Sequence, residues 1–231
     1  ASIAGAVASL ADVDGSCKVY VAPGTYAETA ASTFVVLSKA IEVIGTTGNP
    51  KDVTVKRGSQ DARIFELSHE GAAIRNLTVS GGKGGNGANA YLTAGLVENC
   101  ILENGYASAW DGGGGNVYLK GGRVSRCVIR GGYTNPTSTS SGRQVGGGVR
   151  AEAGLVENCL ITANKNSYAP AARLSGTAKL LNCTITGNYN EKTSEGECGG
   201  TVRLEGKNAY VVNCVIYGNT CANDVTGHDA I

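Results

Sequence analysis

Methionine is absent from this chain, tryptophan occurs once, histidine twice and proline four times. Each scarcity removes a class of answer. The two histidines, His69 and His228, are isolated, so neither a histidine-ligated metal centre nor a histidine-based triad is expected. Few prolines beside 35 glycines argue for tight turns recurring between short strands and against a disordered linker. No apolar run approaches the roughly 18–20 residues that cross a bilayer, so no membrane insertion is expected. A formal net charge of +1 gives no bulk attraction to nucleic acid. The opening ASIAGAVASLADVDG lacks the basic start of a secretion signal. With methionine missing, the chain reads as a processed or excised piece.

What is abundant is repetition. The word AGLVENC stands at 94–100 and again at 153–159, inside a longer, degenerate unit. The second half of that unit reads IRNLTVSGG (74–82), VENCILENG (97–105), VSRCVIRGG (124–132), VENCLITAN (156–164), LLNCTITGN (180–188) and VVNCVIYGN (211–219). IEVIG (41–45) is a worn first copy. A short first half precedes each, ending at Leu37, Leu67, Leu92, Leu119, Ala151, Leu174 and Leu204, and glycine clusters introduce several of them. Aligned on Val43, Asn76, Asn99, Arg126, Asn158, Asn182 and Asn213, the copies are 33, 23, 27, 32, 24 and 31 residues apart. The variation falls between the second half and the next glycine cluster, so each unit has a fixed part and one variable loop.

Apolar residues within the units alternate, as in Cys100 and Leu102 or Cys159 and Ile161, which is the period of a strand. Such strands are too short, with too little helix between them, for βαβ crossovers. A unit of two or three short strands buries its inner face only against the next unit. Stacked coils place equal positions about 4.8 Å apart. The sequence therefore predicts one all-β domain over 1–231: a parallel β-solenoid of about seven coils over 16–231. A short amphipathic capping helix within 1–15, marked by Ile3, Val7 and Leu10, precedes the coils.

That helix, VYVAPGTYAET (19–29) and AIEVIGTTGNPKDVTV (40–55) resemble the N-terminal coil of the pectin-lyase-like right-handed β-helices. The N-C-x-I-x-x-N units resemble those of bacterial surface and secreted β-helix proteins. The resemblance covers nearly the whole chain and implies a right-handed coil. It is weak for activity, because the superfamily holds lyases, hydrolases, esterases, tailspikes and adhesins, and none of its catalytic signatures matches here residue by residue.

Stacking turns equal positions into columns. Asn76, Asn99, Asn158, Asn182 and Asn213 are expected in a turn between two strands, with their amides bonded to one another and to buried backbone. Arg126 interrupts them. Asn76-Leu-Thr and Asn182-Cys-Thr match a glycosylation acceptor, but an inward amide would be out of reach. Cys100, Cys127, Cys159, Cys183 and Cys214 form a second column. Their spacing fits no zinc pattern, and no histidine accompanies them, so a buried thiol stack is expected and no metal or cofactor. Cys17, Cys198 and Cys221 lie outside this register. A disulfide between Cys198 and Cys221, one short coil apart, would place the chain in an oxidising compartment.

The outward first-strand series is Glu66, Tyr91, Tyr118, Arg150, Arg173 and Arg203, followed two positions on by Ser68, Thr93, Lys120, Glu152, Ser175 and Glu205. One reading is a solvated face with Arg150 and Arg203 neutralised by Glu152 and Glu205, such pairs contributing about 0–1 kcal/mol each. The other is a glycan-binding surface with Tyr91 and Tyr118 as sugar platforms and Arg150, Arg173 and Arg203 as donors. An outward apolar stripe, Ile101, Val128, Leu160 and Val215, interrupted by Thr184, calls for a covering loop such as 135–144 or a partner.

Gly82–Gly87 satisfies GxGxxG literally, but a strand and not a helix follows it. Catalytic candidates are thin: Asp111 with Glu152 as paired carboxylates, or Lys120 and Arg150 cast as the base and charge-neutralising cation of a lyase. The closing GHDAI (227–231) aligns with another first strand, leaving an open end that invites truncation or end-to-end stacking. The leading expectation is an extracellular or cell-surface module, non-catalytic, adhesive or binding polysaccharide or host glycan. The alternatives are a polysaccharide lyase or hydrolase on the first-strand face and a filament subunit.

Overall fold

The computed structural model describes residues 2–10, 15–28, 34–108, 112–134, 145–191 and 200–222. The chain is a parallel β-solenoid of about seven turns. Every strand pairing is parallel and joins one coil to the next, as in Val97 beside Ile74 on one side and Val124 on the other. Four sheets run the length of the coil, with seven first strands, eight second strands, eight third strands and six short fourth strands. The fourth strand is an addition to the two or three read from sequence. It holds two residues per coil, such as Tyr106–Ala107, too few to show alternation.

The helix spans Ile3–Ala8, shorter than the segment assigned to it. Ser2 caps it by accepting the Gly5 N–H at 3.0 Å, and Ile3 and Val7 are buried against the first coils. Inside, one apolar column from each of the first three sheets fills the core. Leu67, Leu92, Leu119 and Leu174 come from first strands, Ile74, Val97 and Val124 from second strands, and Leu102, Ile129 and Ile161 from third strands. Full burial of each stabilises by about 1.5–3 kcal/mol, and a one-residue slip would turn the whole set outward.

The cysteine column lies where it was expected. Cys100, Cys127, Cys159 and Cys183 are buried free thiols, and Cys214 is half-buried. Each sulfur does two jobs. The N–H of Cys100, Cys127 and Cys183 donates to the sulfur one coil on, at 3.4 Å. Each S–H donates to the carbonyl two residues back, as Cys100 does to Glu98 at 3.2 Å. A small apolar side chain that still pairs a turn amide explains cysteine at this corner. Burial pushes the Cys127 thiol well above its ordinary value.

The asparagine column requires a correction. Asn76, Asn99, Asn158, Asn182 and Asn213 occupy the turn between second and third strands, with φ of 59, 49, 52, 52 and 51°. Their side chains point outward: Asn158, Asn182 and Asn213 are exposed, Asn76 and Asn99 half-buried. What selects asparagine is the left-handed backbone, which it tolerates better than other side-chain-bearing residues. Arg126 takes the same turn at φ 55° and is exposed. Side chain to side chain the column is bonded in pairs, Asn99 to Asn76 at 2.9 Å and Asn213 to Asn182 at 2.6 Å. Asn99 and Asn76 also donate to the main-chain carbonyls of Gly48 and Gly45, as expected, at 2.9 and 3.5 Å. The reason for setting aside the acceptor at Asn182 therefore fails.

A different asparagine column is buried. Asn89, Asn116, Asn164, Asn188 and Asn219 are each at most 1% exposed. Their amides bond in one file, at 2.8, 3.2, 2.9 and 2.9 Å. Each oxygen also accepts a main-chain N–H, from Gly82, Gly105, Gly132, Asn164 and Asn188 in turn. Asn89 and Asn116 enter from before a first strand, whereas Asn164, Asn188 and Asn219 enter from after a third strand. The changeover falls at Gly132, where a Cβ would lie 2.5 Å from the Asn116 amide nitrogen and 2.3 Å from the Gly147 carbonyl. Only glycine fits there.

Candidate functional site

The outward first-strand residues form one register row. Glu66 pairs with Tyr91, Tyr91 with Tyr118, Tyr118 with Arg150, Arg150 with Arg173 and Arg173 with Arg203. Three arginines in file would repel, and carboxylates two positions on prevent it. Glu152 accepts from Arg150 at 3.2 Å and from the Tyr118 hydroxyl at 2.5 Å. Glu205 joins Arg173 and Arg203, the latter at 2.7 Å. Arg63 bonds Glu66 at 2.7 Å and lies 4.5 Å over the Tyr91 ring. Arg150 lies 5.0 Å over Tyr118, and the Lys120 ammonium 5.9 Å from the same ring.

The row is not evenly accessible. Tyr118 is 3% and Arg150 8% exposed, because glycine turns lie on them. A Cβ on Gly113 would stand 2.7 Å from Cδ of Arg150, and one on Gly87 2.8 Å from Cβ of Tyr118. Tyr91 and Arg173 are half-buried, and Lys120 and Arg203 are exposed. Tyr118 and Arg150, read from sequence as ligand contacts, therefore form an under-layer that holds Glu152. The sequence shows the row but not its cover, since glycine turns reveal their path only once folded.

Electrostatics follow from this packing. Burial, then the bond to Glu152, pushes the Tyr118 phenol up, so it stays a proton donor. Burial pulls Glu205 up, but the bond from Arg173 and the charges of Arg203 and Arg150 outweigh it and hold the carboxyl below its ordinary value. Of the catalytic candidates, Lys120, Arg150 and Glu152 come together around Tyr118. Asp111 lies outside the described residues. Among the described residues, no group of three or more His, Cys, Asp or Glu could hold a metal ion.

The remaining features from sequence resolve as follows. Cys221 is disulfide-bonded, and Cys198, the partner expected for it, lies outside the described residues. Cys17 is a free, half-buried thiol. The apolar stripe is in register, but Ile101 is 7% exposed and Val215 57%, with Val128, Leu160 and Thr184 half-buried. Axial neighbours shield one another, so the stripe opens only on the last described coil. The insert 135–144, His228 and the closing 227–231 lie outside the described residues. Among those described, no helix is long and apolar enough to cross a membrane.

Sequence reading missed a second outward row, on the fourth sheet: Lys83, Tyr106, Tyr133, Lys165 and Tyr189. Its only signal was a lysine or tyrosine soon after five successive third strands, before Thr220 continues the row. It missed as well a file of alternating charges on the second-strand face, in which Lys18, Glu42, Arg75, Glu98 and Arg126 pair in succession.

The coil, its columns and its sheets define a parallel β-helix protein. No family model and no curated protein matches the chain. Among solved structures it is similar to the A-module of a mannuronan C-5 epimerase from Azotobacter vinelandii, at 16% identity and a TM-score of 0.48. The match covers 94% of this chain and 65% of that one, so the chain spans less than two thirds of that structure's length. At this identity the likeness concerns the path of the backbone alone.

Proposed function

We propose that the chain is a non-catalytic β-helix module, working outside the cell or at its surface, that binds glycan along its first-strand face. The observation that carries this reading is the fixed row of aromatic and guanidinium groups. Glu152 and Glu205 hold the arginines in set orientations, and the glycine turns hold Tyr118 beneath them. A rigid strip of donors, acceptors and a ring face suits a hydroxyl-rich ligand at low ordering cost. Tyr91, Lys120, Arg173 and Arg203 would meet the ligand, while Tyr118 and Arg150 support them.

The same bonds speak for binding over catalysis. Glu152 Oε1 accepts from both the Tyr118 hydroxyl and the Arg150 guanidinium, which suits a residue that holds these groups in place. A disulfide at Cys221 supports an oxidising compartment. The test is a glycan array read with wild type and with Arg173→Ala/Arg203→Ala. The expected result is binding by wild type and at least about tenfold weakening in the variant. Release of unsaturated or reducing ends by wild type, lost in Arg150→Ala, would overturn the non-catalytic reading in favour of a lyase or hydrolase.

A further inference from the structure

The fourth-sheet row has a chemistry of its own. Lys83 stands beside Tyr106, Tyr106 beside Tyr133, Tyr133 beside Lys165 and Lys165 beside Tyr189 in unbroken register. The Tyr106 and Tyr133 rings stack at 5.6 Å with 15° between their planes. The Lys83 ammonium lies 5.8 Å from the Tyr106 ring and that of Lys165 6.0 Å from Tyr189. Ring faces are thus turned toward one another along the axis. Ring edges, the Tyr106 hydroxyl and the exposed Lys165 ammonium are left for a ligand.

Cross-strand pairing would account for stacked tyrosines by itself, but not for the charges. On the first-strand face Arg150, Arg173 and Arg203 meet carboxylates. Here Lys83 meets Asp61 at 2.7 Å, whereas Lys165 is exposed and has no carboxylate within ion-pairing distance among the described residues. Among the described residues two acids bond to the row, Asp61 to Lys83 and Glu191 to Tyr133, and neither reaches Lys165. In the sequence, the variable part of the repeat begins a few residues after Tyr106, Tyr133 and Tyr189. Recognition concentrates at such places.

We propose that this row is a binding track for an extended acidic polysaccharide lying along the solenoid axis. The inference rests on the glycan-binding reading above and assigns it a second face. Lysine supplies charge complementarity to carboxylate or sulfate groups, and tyrosine hydroxyls exchange hydrogen bonds with sugar hydroxyls. A polymer meets the same chemistry at each coil, about 4.8 Å apart, and gains affinity from simultaneous weak contacts.

The test measures binding of polygalacturonate, dextran and polyglutamate, at low and raised salt, to wild type and three variants of checked circular dichroism. These are Arg173→Ala/Arg203→Ala, Lys83→Gln/Lys165→Gln, and all four substitutions together. With the first-strand arginines removed, salt-sensitive binding to polygalacturonate is expected to persist. Adding the lysine substitutions lowers it at least about tenfold. Loss of all polygalacturonate binding in Arg173→Ala/Arg203→Ala, or no effect of the lysine substitutions, overturns the track and leaves the first-strand reading standing. Equal affinity for polyglutamate overturns it too, by showing a mere polyanion surface. Wild type that binds neither polysaccharide overturns the track and leaves the first-strand reading to the glycan array. A first-strand variant equal to wild type, with binding lost on the lysine substitutions, removes the first-strand site alone.

Discussion

At residue scale, two asparagine columns use one side chain for opposite ends. Asn158 stands at φ 52° in an exposed turn, where the residue is selected by its backbone. Asn164 is buried, donates to Ile129 at 3.0 Å and Asn188 at 2.9 Å, and accepts from Gly132 at 2.9 Å and Asn116 at 3.2 Å. Asn164→Ala would strand several buried groups at once, each costing about 1–3 kcal/mol. The expected loss is about 3 kcal/mol or more, against about 1 kcal/mol for Asn158→Ala, which gives up only the preference for a left-handed turn. Urea denaturation with matched slopes checks the contrast. Equal losses would mean that the buried file carries no more than the exposed one.

Element scale brings in charge and pH. The second-strand sheet carries acid–base pairs between coils, and Glu157 is its most buried acid. Glu157 accepts from Arg123 at 2.8 Å and from the Ser125 hydroxyl at 3.1 Å. The Arg123 bond, against an opposing burial effect and helped by Ser125, holds the Glu157 carboxyl below its ordinary value. Glu205 is depressed as well on the first-strand face. A carboxyl depressed by folding stabilises the fold fully above its unfolded value, near about 4.3. That contribution is lost as pH falls through the folded value. Thermal midpoints should therefore be flat around neutrality and fall below about pH 4.3. Glu157→Gln should start lower and show a shallower acid decline. An unchanged acid limb in that variant would show that the Arg123 pair contributes nothing to stability.

The same scale shows what the sequence makes legible. Alternation identifies second and third strands, because every inward position from Val97 to Ile185 is apolar or cysteine. The first-strand row is legible for the same reason: a column keeps its residue type or its charge. The buried amide file is hidden although Asn164, Asn188 and Asn219 stand in the repeated word. Its other members, Asn89 and Asn116, reach the same corner from the far side of a variable loop, while Gly82, Gly105 and Gly132 fill the repeat's own slot. Linear alignment cannot join two chain positions that only folding superimposes. The fourth strands are hidden because two residues have no period, and the lysine–tyrosine row is hidden with them.

For the whole molecule, each coil contacts its neighbours above and below, so stability is a sum of coil and interface contributions, unlike that of a globular core. The interior coils are sealed: Leu102, Ile129 and Ile161 are 0% exposed. In the last described coil the inward Val211, Cys214 and Ile216 are only partly buried, and the outward Val212, Val215 and Tyr217 are each more than half exposed. That coil forfeits part of the apolar burial the others gain, while its amides bond on one side to the coil before. Opening should therefore begin there and spread inward. Hydrogen exchange is expected to release the amides of Val215–Tyr217 well before those of Leu160–Thr162, with intermediate rates at Thr184–Thr186. The gradient should flatten when denaturant makes global unfolding the easier route. Equal protection of all three strands in water would instead show that the coils unfold as one unit, and nearest-neighbour additivity would not hold for this solenoid.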